Sequence, residues 1–123
     1  MDYDDSNVFA KILRGEIPCD RVYEDEHALA FRDINPLAPV HVLVIPKGPY
    51  VSMDDFTARA GTEAVAGFFG AVGEVARRLG VVESGYRVLA NHGADAHQEV
   101  PHFHVHLFAG ARLGRMLKRI EAA

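Results

Sequence analysis

The 123-residue chain has a single cysteine, Cys19, which excludes an internal disulfide and suits a reducing compartment. It has no apolar run near the roughly 18 residues needed to cross a bilayer. The start, Met1-Asp2-Tyr3-Asp4-Asp5, has neither the basic nor the apolar region of a signal peptide. Nor is there an excess of positive charge. Thirteen Lys and Arg against 17 Asp and Glu leave −4, which does not favour a nucleic-acid or anionic-membrane partner. Internal repeats and low-complexity stretches are absent as well. Together these absences lead us to expect a cytoplasmic protein with one domain over residues 1–123.

The hydrophobic content, 49%, is that of an ordinary globular domain with one core. Residues 1–5 read as a disordered acidic start. Ser6 or Asn7 caps a short helix carrying Val8, Phe9, Ile12 and Leu13, which Gly15 ends. Residues 21–24 and 28–33 read as a hairpin around the turn Asp25-Glu26-His27, with His27 solvated. Two prolines make 34–39 a loop, and the β-branched run 41–45 a central strand. Over residues 62–79 the period becomes helical, with Val65, Phe68, Phe69, Val72, Val75, Ala76 and Leu79 on one face and Gly80 as the stop. Gly67, Gly70 and Gly73 interrupt that helix, which suggests close packing against another backbone. Residues 86–90 form a fourth strand, 91–98 a polar loop, and 111–123 a basic tail. This order predicts an α+β domain. Its five-stranded, mainly antiparallel sheet would have one face covered by one long and one short helix.

The fifth strand is the informative one. In Pro101-His102-Phe103-His104-Val105-His106-Leu107-Phe108, three histidines alternate with apolar residues. An extended chain puts His102, His104 and His106 on one face, with steps of roughly 6.6 Å between Cα atoms, and an apolar stripe on the other. Three readings follow. The first is coincidence on a half-exposed strand. The second is a zinc site, with two ligands from a His-x-His pair and a further one from His41 or Glu99. The third is nucleophilic catalysis at phosphorus: a neutral imidazole attacks phosphorus and leaves readily, and flanking imidazoles fix its tautomer and contact the phosphoryl oxygens. Such a site needs neither a Walker motif nor an acidic metal cluster, and the chain has neither.

His102-Phe103-His104-Val105-His106-Leu107-Phe108 resembles the His-φ-His-φ-His-φ-φ signature, φ being apolar, of the histidine triad (HIT) superfamily. The likeness continues through Asn7–Ile12, Gly15-Glu16-Ile17-Pro18, Phe31–Pro36, Ala38–Lys47 and Gly93–His106, and covers roughly residues 6–117. Leu113-Gly114-Arg115-Met116-Leu117 resembles the tail of the Hint-type branch, the small nucleoside phosphoramidases. The resemblance implies an enzyme that cleaves the P–N bond of purine nucleoside 5′-phosphoramidates, of AMP-amine or adenylated-lysine type, through a covalent nucleotidyl-histidine. His104 would be the nucleophile. His102 and His106 would flank it, to contact phosphate and organise the nucleophile, and His41 would hydrogen-bond His102 or relay a proton. Asn91 would hold the α-phosphate or leaving-group side, and Asp33 the ribose hydroxyls. Phe9, Ile12, Ile17, Phe31 and Ile34 would line the purine slot, although taken singly each reads as core.

Departures from the family pattern bear on this. Glu99 stands where some members have Ser; a carboxylate there is repelled by phosphate unless protonated or turned away, or it serves as an acid-base group. His92 and His97 read as solvated loop residues, and Ala109 replaces a common glycine. The resemblance further implies a homodimer, to which the Gly- and Phe-rich helix is suited. No cofactor is expected for the mechanism, with zinc possible but not required. The competing functions are a dinucleoside polyphosphate hydrolase or phosphorylase on the same fold and, from another class, a nucleotide- or zinc-binding interaction protein.

Overall fold

The computed structural model describes residues 2–122. Its five strands are β1 (Arg21–Glu24), β2 (Ala28–Arg32), β3 (Val40–Pro46), β4 (Arg87–Leu89) and β5 (Val105–Ala109); the helices are α1 (Val8–Leu13), α2 (Met53–Arg59) and α3 (Thr62–Arg78). The strands form a single sheet of order β1-β2-β3-β5-β4 in which every neighbouring pair is antiparallel. This is the expected α+β architecture. The β1–β2 turn is built by Asp25, whose Oδ1 accepts from the backbone N–H groups of His27 (2.7 Å) and Ala28 (2.9 Å). The central strand β3 is buried on both faces, which is why Val42-Leu43-Val44-Ile45 shows no polar alternation.

Two layers of helix, not one, cover this sheet. Phe56 of α2 and Phe68, Val72, Val75 and Ala76 of α3 bury one face together with Ala30, Val42, Val44, Phe103, Val105 and Leu107. Phe56 and Phe103 stack at 5.1 Å, and Phe68 meets both at 5.2 and 5.3 Å. On the opposite face Phe9 of α1 joins Leu29, Phe31, Leu43 and Ile45. The expected helix count of two therefore becomes three, and the short α1 lies across the sheet from α3 instead of beside it. Helix α2 did carry local signals: Ser52 Oγ accepts from Asp55 N–H at its start, Asp54 and Asp55 occupy the first turn, and Arg59 the last.

Helix α3 ends where expected, with Gly80 in the left-handed region at φ 70°. Its buried side includes Ala71, whereas Phe69 is half exposed. Gly67 is glycine for a different reason than a neighbouring backbone: a Cβ there would lie 2.3 Å from Cδ2 of His27. His27 is thus partly buried against α3 and not solvated. No helix among the described residues is long and apolar enough to cross a membrane.

The acidic start is hydrogen-bonded over residues 3–5; Met1 lies outside the described residues. Asp4 accepts from Ser6 N–H (2.9 Å), and its carbonyl from the Asn7 side chain (2.8 Å). Asn7 Oδ1 in turn caps α1 through Ala10 N–H (2.9 Å). These bonds tie the start to the helix. The tail has no regular secondary structure over residues 111–122, with Met116, Leu117 and Ile120 exposed.

Candidate active site

The regular part of β5 starts only at Val105, so His106 is on the strand while His102, in a bend, and His104 precede it. The alternation of faces nevertheless holds. Phe103, Val105 and Leu107 enter the core beneath α3, and the histidines turn to the α1 side, where Phe9 lies 5.0 Å from the His104 ring. They are far from half-exposed: His102 and His104 are buried and His106 is partly buried.

Hydrogen bonding settles the tautomer of each ring. His102 Nε2 lies 3.1 Å from the carbonyl of Pro46, which can only accept, so Nε2 carries the proton. Its Nδ1 is then the acceptor for Tyr3 Oη at 2.6 Å. His104 Nδ1 donates to the carbonyl of His102 at 2.7 Å. In the neutral ring this leaves a lone pair on His104 Nε2, which has no hydrogen-bond partner among the described residues. His41 Nδ1 accepts from Leu37 N–H at 3.1 Å, so its Nε2–H donates to His106 Nδ1 at 2.9 Å. His106 is left with Nε2–H as a donor. His41 therefore serves His106, not His102 as expected. The reason is sheet register: His41 is paired with Phe108, which makes His106 its diagonal neighbour on the same face.

All four rings are held neutral at pH 7. Burial pushes His102 down to about 4, against an opposing pull from the Pro46 carbonyl. Burial, followed by the neighbouring His104 and His41, also takes His106 to about 4. His104 and His41 are lowered by burial too, although Asp33 partly offsets this in both and the His102 carbonyl does so in His104.

Two adjoining clefts open at this row. A polar one of about 280 Å³ is lined by His104, His106, Asn91, Glu99, His97 and Asp33, with Phe9, Leu37, Leu43 and Val100. An apolar one of about 560 Å³ is lined by Phe9, Ile12, Ile17, Phe31, Ile34, Leu43 and Val100, with Asp33 and Glu99 again at the border. The structure thus gathers ten of the twelve sequence-predicted residues along one continuous groove. His41 and His102 stand behind the wall. Ile34, 92% exposed, forms only a rim. Asp33, shared by both clefts, accepts from Asn35 N–H (2.8 Å) and has its second oxygen 3.5 Å from His41 Nε2.

Sequence reasoning missed several wall residues. Leu43 follows from alternation with His41 on β3, and it faces His106 in the register. His97 is exposed, as expected, but it stands at the mouth of the polar cleft in the left-handed region (φ 59°), 3.3 Å from Glu99. Gln98 fixes this loop by bonding Gly93 N–H, the Val51 carbonyl and the Val100 carbonyl, and no local pattern announces that role. His92 lines a separate cavity beside α2.

Among the described residues, the grouping that offers metal-ligand atoms within 4.8 Å is Asp33, His41 and His106, not a His-x-His pair with Glu99. A metal there would take the Nε2 lone pair of His41. That would move the proton to Nδ1, where Leu37 N–H already donates. The donor set as it stands is that of a hydrogen-bonded relay.

A row of neutral imidazoles on an antiparallel sheet, opening on a groove of small-molecule size, is the arrangement the alternating motif anticipates. The HIT domain model matches residues 14–113, and the chain belongs to that family. It is 67% identical over 117 residues, 95% of this chain and 96% of the relative, to an uncharacterised 13.2 kDa HIT-like protein of Azospirillum brasilense. It is 40% identical over 113 residues, 92% of this chain and 94% of the relative, to the purine nucleoside phosphoramidase of Escherichia coli K12. Among solved structures, a histidine triad protein from Clostridium difficile superposes with TM-score 0.84 at 39% identity, over 93% of this chain and 98% of that one.

Proposed function

We propose that the protein is a cytoplasmic, homodimeric hydrolase that cleaves the P–N bond of purine nucleoside 5′-phosphoramidates through a nucleotidyl-His104 intermediate. The observation that carries this is the neutral His104 ring, with its lone pair on Nε2 and Nδ1–H held by a backbone carbonyl, at the wall of a groove that continues into an apolar slot. The base would lie against Phe9, Phe31, Ile12 and Ile17. Asp33, between the two clefts, has the remaining acceptor capacity to take the ribose hydroxyls. The phosphoryl group would then sit in the polar cleft, where His106 Nε2–H and Asn91 can donate to its oxygens.

In the first step His104 Nε2 forms a bond to phosphorus and the P–N bond breaks. The electron pair departs with the nitrogen, which takes up a proton and leaves as amine. In the second step water attacks phosphorus, imidazole leaves, and nucleoside monophosphate is released; one water is consumed. His102, with both nitrogens bonded, acts as a scaffold. The 40% identity to a named phosphoramidase and the Hint-like tail support the choice of leaving group. The dimer is suggested by the edge strand β4, which leaves Val88 and Leu89 exposed.

The test is rapid quench of an adenosine phosphoramidate with the purified protein, followed by mapping of adenylated peptides. Adenylation confined to His104 and loss of turnover in His104→Ala are expected; full activity in that variant would refute the covalent mechanism. Faster turnover of diadenosine polyphosphates would move the protein to the polyphosphate branch. Stoichiometric zinc, with loss of structure on chelation, would favour the metal-binding reading.

A further inference from the structure

The N-terminal arm reaches the site through one side chain. Tyr3 Oη lies 2.6 Å from His102 Nδ1, and the two rings meet edge to face at 5.6 Å. His102 Nε2–H is already committed to the Pro46 carbonyl, so Tyr3 supplies the one proton that His102 Nδ1 can accept. The arm is not loosely draped. One residue beyond Tyr3, Asp4 bonds Ser6 and Asn7, and Asn7 caps α1, the helix that brings Phe9 against His104.

We propose that Tyr3 is a positioning residue for the hydrolase reaction: by donating to His102 Nδ1 it locks the first histidine, whose backbone carbonyl in turn orients His104. The chain of contacts is continuous. Tyr3 O–H holds the His102 ring in one tautomer, and that ring is tied at its far side to β3 through Pro46. The carbonyl of the same residue accepts from His104 Nδ1 at 2.7 Å, which keeps the His104 lone pair on Nε2. His102 is fully buried, so no bulk water reaches Nδ1 to replace a lost donor. Without the hydroxyl the ring can rotate or shift its proton, and the carbonyl on the same residue loses its fixed direction. Nothing in the catalytic motif itself contains this residue; it is supplied from 99 positions away.

The kinetic consequence rests on the proposed nucleotidyl transfer, but the tautomer does not, and the experiment separates the two. Imidazole ¹⁵N spectra are recorded for wild type, Tyr3→Phe and Tyr3→Ala, and kcat and KM are measured with an adenosine phosphoramidate. In wild type His102 should be a pure Nε2–H tautomer and His104 a pure Nδ1–H tautomer. In Tyr3→Phe, which keeps the edge-to-face ring, His102 should become a mixture and the His104 resonances should shift. The kcat should fall about tenfold, the size expected for one buried hydrogen bond left unmade, with KM within about twofold. A merely structural role for the ring predicts a wild-type Phe variant and a defect only in Tyr3→Ala, and that result overturns the proposal. Unchanged His102 and His104 spectra in Tyr3→Phe overturn it as well, whatever the kinetics. If wild type itself does not turn over phosphoramidates, the substrate reading fails, and the spectra still decide whether Tyr3 sets the two tautomers.

Discussion

Acidification should destabilise the protein in a pH range where few of its carboxylates have begun to titrate. His102 is held near 4 in the fold, against an ordinary value of 6.5. Between these values the unfolded chain binds a proton that the folded one refuses, so stability falls as the pH drops from about 6.5 and the loss is complete only near 4. At 1.36 kcal/mol per pH unit, His102 alone removes about 2 kcal/mol by pH 5. His106, lowered to about 4 by burial and neighbouring rings, acts in the same direction. Against a typical domain stability of about 5–15 kcal/mol, a loss of this size is easily measured. The depressed carboxylates work in a lower window: Asp55, held near 2 by Arg59, contributes stability above its ordinary 3.8 and loses it as the pH falls toward 2. Urea unfolding at fixed protein concentration, stepped from pH 7.0 to 5.0, reads the effect as a falling midpoint. The same series on His102→Asn, whose amide carries no charge at either pH, should show a shallower decline. A midpoint that is flat or rises on acidification in wild type, or an equal slope in the variant, would refute the claim that a neutral, buried His102 is part of the fold.

Two further outcomes follow from the packing. Gly67→Ala places a Cβ 2.3 Å from the His27 ring and should cost about 1–3 kcal/mol in urea unfolding; His27→Ala in the same chain should recover most of it. His41→Phe keeps a ring beside Phe108 but removes the N–H that His106 accepts, so kcat/KM for an adenosine phosphoramidate should fall about tenfold or more while circular dichroism stays unchanged.

Much of the architecture was legible because it is periodic. The 3.6-residue pattern placed the long helix at 62–79, within a residue of α3, and the alternation in 102–108 separated the histidine face from the core face before any contact was known. Helix α2 escaped notice because only Phe56 of its seven residues is buried, too little for a periodic signal, although Ser52, Asp55 and Arg59 mark its ends. The glycines of α3 were read as one feature, yet Gly67 faces His27 while Gly70 meets nothing within 4 Å. Spacing along a helix does not reveal what stands opposite it.

For the site, the chain by itself determined which residue types are available and which share a face, since side-chain direction in an extended segment depends only on parity. It also marked Asp33, Asn91 and the apolar residues of the slot through likeness to a family. Only the tertiary structure decided what each imidazole does. The three histidines are equivalent in the motif, but Pro46 and Tyr3 make His102 an Nε2–H tautomer, His41 (itself set by Leu37) does the same for His106, the His102 carbonyl makes His104 the Nδ1–H tautomer, and burial keeps all of them uncharged. A tautomer is set by the partner on the other nitrogen, and for His102 and His106 those partners come from a different strand, a loop and the N-terminal arm. His104 is distinguished because its Nδ1 is bound by a neighbouring backbone carbonyl while its Nε2 has no partner among the described residues and lies at the groove.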